Sequence, residues 1–92
     1  MKQSDAAAIA DAYLKTMQRD HPVVLEINHG ITEEHPAGYV FFYNSQEFWK
    51  TRDIPSALAG NGPLLVLRDS GELVVLPSYQ SVKKSVAEYE DG

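Results

Sequence analysis

His21, His29 and His35, with Glu33 and Glu34 beside the last of them, are the residues whose types best suit metal binding or proton transfer. Zinc-binding helices set two histidines one helical turn apart, and no pair of these three has that spacing. If Ile27 and Ile31 face a core then His29 does too, unless a bulge at Gly30 turns it outward. A half-buried structural histidine therefore outweighs a ligand. A general acid needs a desolvated carboxyl group with a raised pKa. Glu33-Glu34, Glu88 and Glu90-Asp91 stand in polar, solvent-facing stretches instead. The serines occur singly at turns and caps, with no Gly-x-Ser-x-Gly elbow. The chain has no cysteine, which excludes disulfides, thiolate metal sites and a cysteine nucleophile. These residues point to no catalytic constellation, no metal and no cofactor.

The glycine-rich stretch Ala57 to Val66, ALAGNGPLLV, invites a second chemical reading as a phosphate cradle. A P-loop ends in Gly-Lys-Ser/Thr and runs into a helix whose N-terminus meets the phosphate. Here Pro63 and an apolar strand follow. The dinucleotide fingerprint fails as well, on glycine spacing and on context. The stretch reads as a corner: a helix stop at Gly60, a positive φ at Asn61 or Gly62, and Pro63 opening a strand.

Any site must be carried by a small scaffold. Ninety-two residues make one domain, 1–92, which buries only about 60–65% of its unfolded surface and leaves no interdomain cleft. The 43% hydrophobic content and nine aromatic residues support a packed globule. Thirteen acids against eight bases give a net charge of −5. Nucleic acid is therefore a poor partner, and a basic protein a favoured one. The N-terminal stretch is broken by Asp5, Asp11 and Lys15 and is no signal peptide. With no membrane span either, the expected location is the cytoplasm.

Ser4 to Arg19 reads as a helix, capped by Ser4, with Ile9, Tyr13 and Met17 on one stripe beside Ala6 and Ala10. Pro22 ends it. Val23 to Thr32 alternates as a strand, and His35-Pro36-Ala37-Gly38 turns the chain into the strand Tyr39 to Tyr43. Asn44 and Glu47 fit a capping box for a short helix through Phe48 and Trp49. Ile54 to Ala59 adds a helical turn. Leu64 to Arg68 and Leu73 to Leu76 form a second hairpin, with Gly71 left-handed in its turn. Tyr79, Val82, Val86 and Tyr89 mark a terminal helix capped by Ser78. This order predicts an α+β two-layer domain. It has a four-stranded antiparallel sheet with the N- and C-terminal helices packed on it, and a short helix between the two hairpins.

The aromatics supply the remaining binding chemistry. Tyr39, Phe41 and Tyr43 share one strand face, while Val40 and Phe42 share the other. Phe48 and Trp49 lie about 100° apart on a helix, so both cannot point straight into a core. Two readings of Trp49 stand: core packing, or an anchor for a protein partner.

The run Gly38-Tyr39-Val40-Phe41-Phe42-Tyr43-Asn44-Ser45, then Leu58-Ala59-Gly60-Asn61-Gly62-Pro63-Leu64-Leu65-Val66, then Ser70-Gly71-Glu72-Leu73, resembles the immunity protein 35 family, the YrhB-type domains. The resemblance spans Tyr13 to Tyr89. It departs at Tyr39, where the family usually has Trp, and at Leu67, where an acid is common. It implies a small bacterial α+β protein of polymorphic toxin systems that binds and neutralises a cognate toxin, papain-like peptidase or deamidase toxins being among those associated. On that reading Glu33, Glu34, Asp53, Asp69 and Glu72 steer a basic toxin. Tyr43, Phe48 or Trp49 anchors it, and Asn61 edges the surface. The competing class is a chaperone-like or housekeeping interaction module; a small hydrolase is a third.

Overall fold

The computed structural model describes residues 1–53, 57–58 and 61–90. Its order is α1 (Gln3–Gln18), β1 (Leu25–Ile27), a single 3-10 turn (His29–Ile31), β2 (Glu33–His35), β3 (Gly38–Phe41) and β4 (Tyr43–Ser45). Then come α2 (Gln46–Thr51), β5 (Leu64–Leu67), β6 (Leu73–Val75) and α3 (Val82–Ala87). Strands β2-β3-β5-β6 form a four-stranded sheet and β1-β4 a two-stranded one. All pairings are antiparallel. The α+β class follows the sequence pattern.

The long hairpin is where the elements depart from expectation. Val23 to Thr32 is not one strand. The Asn28 side chain accepts a hydrogen bond from the Gly30 N–H (3.1 Å), and this local capping tightens the chain into the 3-10 turn. Three residues are thereby taken up between β1 and β2, so β1 pairs with β4 while β2 pairs with β3. Ile31, expected inside, is thrown outward and is 45% exposed. His29 is turned out with it and lies edge-on to Phe41.

The central pair β3–β5 is apolar on both faces. Tyr39, Phe41, Leu64 and Val66 join one cluster, with Leu25, Ile27 and Tyr43 from the smaller sheet. Val40 and Leu65 join another, with Leu76 and Val86. Helix α1 covers the first face through Ala6, Ala10 and Leu14. The two alanines let its backbone approach the sheet, and Ile9, Tyr13 and Met17 pack around that line of contact. Helix α3 covers the second face through Val82 and Val86. The terminal helices thus divide between the faces instead of sharing one.

Three caps differ from expectation. Helix α1 starts at Gln3, and the Asp5 carboxylate accepts from the Lys2 backbone N–H (3.1 Å), so Ser4 is not the cap. Ser45 caps α2 by accepting from the Phe48 N–H (3.1 Å), which frees the Asn44 side-chain oxygen Oδ1 to accept from the Leu58 N–H (2.8 Å). Ser81, not Ser78, caps α3, accepting from the Lys84 N–H (3.2 Å). Tyr79 therefore precedes the helix and is 89% exposed, while Tyr89 beyond its end is 44% exposed.

Gly71 takes the left-handed conformation expected of it, at φ 75°. The helical turn expected at Ile54 to Ala59 and the stop at Gly60 fall largely outside the described residues. Asn61 and Gly62 do not take positive φ. Gly62 is needed for another reason: a Cβ there would overlap the Leu76 carbonyl oxygen, and one at Gly38 would overlap that of Val66. These are backbone contacts, which a flexible side chain cannot relieve. Gly62→Ala and Gly38→Ala should each destabilise the fold by about 2 kcal/mol or more. Urea titration followed by tryptophan fluorescence would show this as a lower midpoint at unchanged slope.

Candidate functional site

The residues expected to meet a partner fall into two groups, set apart by the topology. Glu33 and Glu34 lie on β2, and Asp69 and Glu72 flank the β5–β6 turn. Register places His35 opposite Gly38 and Gly38 opposite Leu67, so the two turns gather at one end of the larger sheet. Arg68 fastens that end. Its guanidinium donates to the His35 carbonyl (2.8 Å), the Tyr39 hydroxyl (3.2 Å) and the Glu34 carboxylate (3.2 Å), and it lies 4.9 Å from the Tyr39 ring centroid. The Tyr39 hydroxyl first, and Glu34 after it, hold the Arg68 pKa above its ordinary value. Glu33 lies 2.9 Å from His35 Nε2. All four acids are exposed, and this end presents a negative rim.

Phe48, Trp49 and Asp53 belong to the other end, beside β1 and β4. Trp49 donates its indole N–H to the Glu26 carbonyl (2.8 Å), tying α2 to β1. Its ring is 5.5 Å from that of Phe48, and the Arg52 guanidinium lies 5.0 Å from the Trp49 centroid. Arg52 reaches this position from a left-handed conformation, φ 58°. Both aromatics are half-buried, so the two readings of Trp49 meet: one edge is structural, and the other is open. Asp53 is exposed.

Two candidates are corrected. Tyr43 is buried, 7% exposed, in the cluster beneath α1, and has almost no surface to offer a partner. Burial first, and nearby Tyr13 second, raise its phenol pKa above 10.0. Asn61 turns inward and donates to the Tyr43 carbonyl (2.8 Å), closing the outer edge of β4. Its role is to hold the corner onto the sheet.

A hollow of about 550 Å³ lies between α1 and β1 and is lined by Asp11, Leu14, Gln18, Glu26 and His29 among others. Several of its polar groups are already engaged. His29 Nε2 is 3.3 Å from Asp11 Oδ1. Gln18 accepts from the Leu25 N–H (2.7 Å) and donates to the Val23 carbonyl (2.8 Å). Among the described residues no three His, Asp or Glu side chains converge as a metal site would require. No helix there is long and apolar enough to cross a membrane.

The geometry is that of a small α+β protein whose distinctive features are surfaces. Residues 4–92 match the family described as Immunity protein 35. The chain is also 35% identical over 86 residues to the uncharacterized protein YrhB of Escherichia coli (strain K12), covering 94% of this chain and 85% of that protein. No solved structure matches. The chain belongs to the immunity protein 35 family.

Two measurements test these placements. Trp49→Phe keeps an aromatic ring, smaller than the indole, but removes the donor, and should lower stability by about 1 kcal/mol or more. Tyr43 titrates at higher pH folded than unfolded, so its contribution is fully present below pH 10.0 and is lost as pH rises through the folded pKa. Tyr43→Phe should therefore flatten the loss of stability above pH 10, read by denaturant titration across pH 8–11.

Proposed function

We propose that this protein is a cytoplasmic immunity protein that neutralises a cognate toxin by stoichiometric occlusion, without catalysis of its own. The observation that carries this reading is membership of the immunity protein 35 family across residues 4–92. The surface supports it physically. A standard interface takes about 800 Å² from each partner, roughly a seventh of the 5,746 Å² this chain exposes. A rim of turns or one sheet edge is enough, and no deep pocket is needed.

The net charge of −5 and the rim of Glu33, Glu34, Asp69 and Glu72 favour a basic toxin. Charges of this kind accelerate encounter more than they prolong the complex, because they stay solvated at the rim. Phe48 and Trp49 offer a second, aromatic surface at the other end, with Asp53 beside it. A peptidase or deamidase toxin fits the association that the family resemblance implies.

Co-expression with the product of the neighbouring gene, the candidate toxin, is the direct test. Growth should be restored, and the two proteins should co-purify at 1:1. Toxicity that persists despite good expression would overturn the pairing, as would protection of many unrelated clients from aggregation with no toxin-specific rescue. Within a rescuing pair, the combination Glu33→Gln, Asp69→Asn and Glu72→Gln should slow association about tenfold in low salt and change dissociation little. Stopped-flow binding at two ionic strengths would check this.

A further inference from the structure

Among the described residues there are four outer strand edges, and three carry features that oppose further pairing. The Gln18 carboxamide occupies the edge of β1 as one residue of a neighbouring strand would, bonding Leu25 N–H and Val23 C=O. Asn61 closes the edge of β4 through the Tyr43 carbonyl. The edge of β2 carries Glu33, Glu34 and His35, and charge on an edge discourages pairing. The edge of β6 has none of these protections. It reads Leu73-Val74-Val75, and no charged residue occurs from Leu73 to Val82.

The ladder shows which groups this edge offers. The Leu67 N–H donates to Glu72 C=O and the Leu76 N–H to Pro63 C=O, both at 2.9 Å, and Leu65 stands opposite Val74. Antiparallel hydrogen bonds come from alternate residues. Leu73 and Val75 therefore turn their N–H and C=O groups away from β5, and among the described residues nothing pairs with them. Beside them Val75 is 49% exposed and Tyr79 is 89% exposed. A shallow hollow of about 340 Å³ continues from Val75 past Pro77 and Tyr79 to Glu88 and Tyr89 on the α3 side.

We propose that the β6 edge is the docking strand of this protein, and that its occupant is an extended apolar segment of the toxin flanked by Lys or Arg. Leu73 and Val75 would supply four main-chain hydrogen-bonding groups, and Tyr79 an aromatic anchor against the added strand. Charge selects the occupant. Glu72 opens the edge and Glu88 lies in the adjoining hollow. A second copy paired about Val74 would bring another Glu72 onto the face that already holds Glu88, like charge against like. A basic flank meets both acids favourably. The proposal rests on the immunity reading and gives it a surface.

The experiment uses the complex with the product of the neighbouring gene, the candidate toxin. Amide exchange should be fast at Leu73 and Val75 in the free protein and slow in the complex, with Val74 slow in both. Val75→Pro removes an N–H that β5 does not use, as an edge strand tolerates; Val75→Lys places a charge on the same edge. Each should weaken binding at least tenfold and abolish rescue, with the circular dichroism of the free protein unchanged. If the proline variant does not fold, the lysine variant and the exchange pattern decide. Wild-type rescue matched by Val75→Lys would overturn the edge proposal and leave the immunity reading standing. Absence of both rescue and binding by the wild type would overturn the two together. A homodimer that Val75→Lys dissociates would assign the edge to a second copy, and also overturn it.

Discussion

The pairing of β3 with β5 is the constraint on which the rest of this structure depends. Four registers, Gly38 with Leu67 through Phe41 with Leu64, bring together eight residues, of which seven are buried. Since successive side chains point to opposite faces, neither face of this ribbon can be left to water. Tyr39, Phe41, Leu64 and Val66 need a cover on one side, and Val40 and Leu65 need one on the other. Two helices at the two ends of the chain meet that need, and they must take opposite faces. The short α3 suffices because its face is narrow: Val82 and Val86, joined by Leu76, fill it. The longer α1 covers the broader face, to which β1 and β4 also contribute.

Most of this was legible from periodicity, because the strongest signals were also the most deeply buried. The aromatic strand as far as Phe41, the Leu64 hairpin and the left-handed Gly71 follow from local pattern and turn chemistry, but the expected strand Tyr39 to Tyr43 breaks at Phe42, and Tyr43 passes to β4 in the smaller sheet. What local pattern did not carry was competition. Several residues that suit a cap stand near each helix start, and choosing among Asn44 and Ser45, or Ser78 and Ser81, depends on which neighbour is already engaged. Asn44 is engaged by Leu58, fourteen residues away. The break in Val23 to Thr32 was half visible in Gly30, but the Asn28 side chain that fixes it is a local contact that alternation cannot reveal. Leu14 was passed over because alanines and aromatics drew the helical stripe, yet it lies in the line of closest approach.

The exposure of the acids was legible in the sequence and the state of the strand edges was not. Exposed acids can be expected from composition, and Glu33, Glu34, Asp53, Asp69 and Glu72 are indeed at the surface. Whether an aromatic is an anchor or a core residue depends on tertiary packing, which is why Tyr43 went inside while Tyr79, assigned to a helical stripe, came out. The state of a strand edge is less accessible still. It requires knowing the strand order, the register and which side chains reach across, and Gln18 closes the β1 edge from the end of α1.

The glycine-rich corner shows how a signature and a function can part company. Its Asn61 is spent on the Tyr43 carbonyl, and its Gly62 exists to let two backbones meet at Leu76. The first ties the corner to β4 through the Asn61 side chain, and the second lets the flanks of β5 and β6 meet within the larger sheet. A residue committed to such a contact cannot be altered without cost to the fold. Residues with fewer packing obligations can: Asp69 and Glu72 at the β5–β6 turn, the outer edge of Trp49 and the uncovered side of β6. The stretch that stands out most in the sequence is therefore held by the fold itself, and the surface free to vary lies elsewhere.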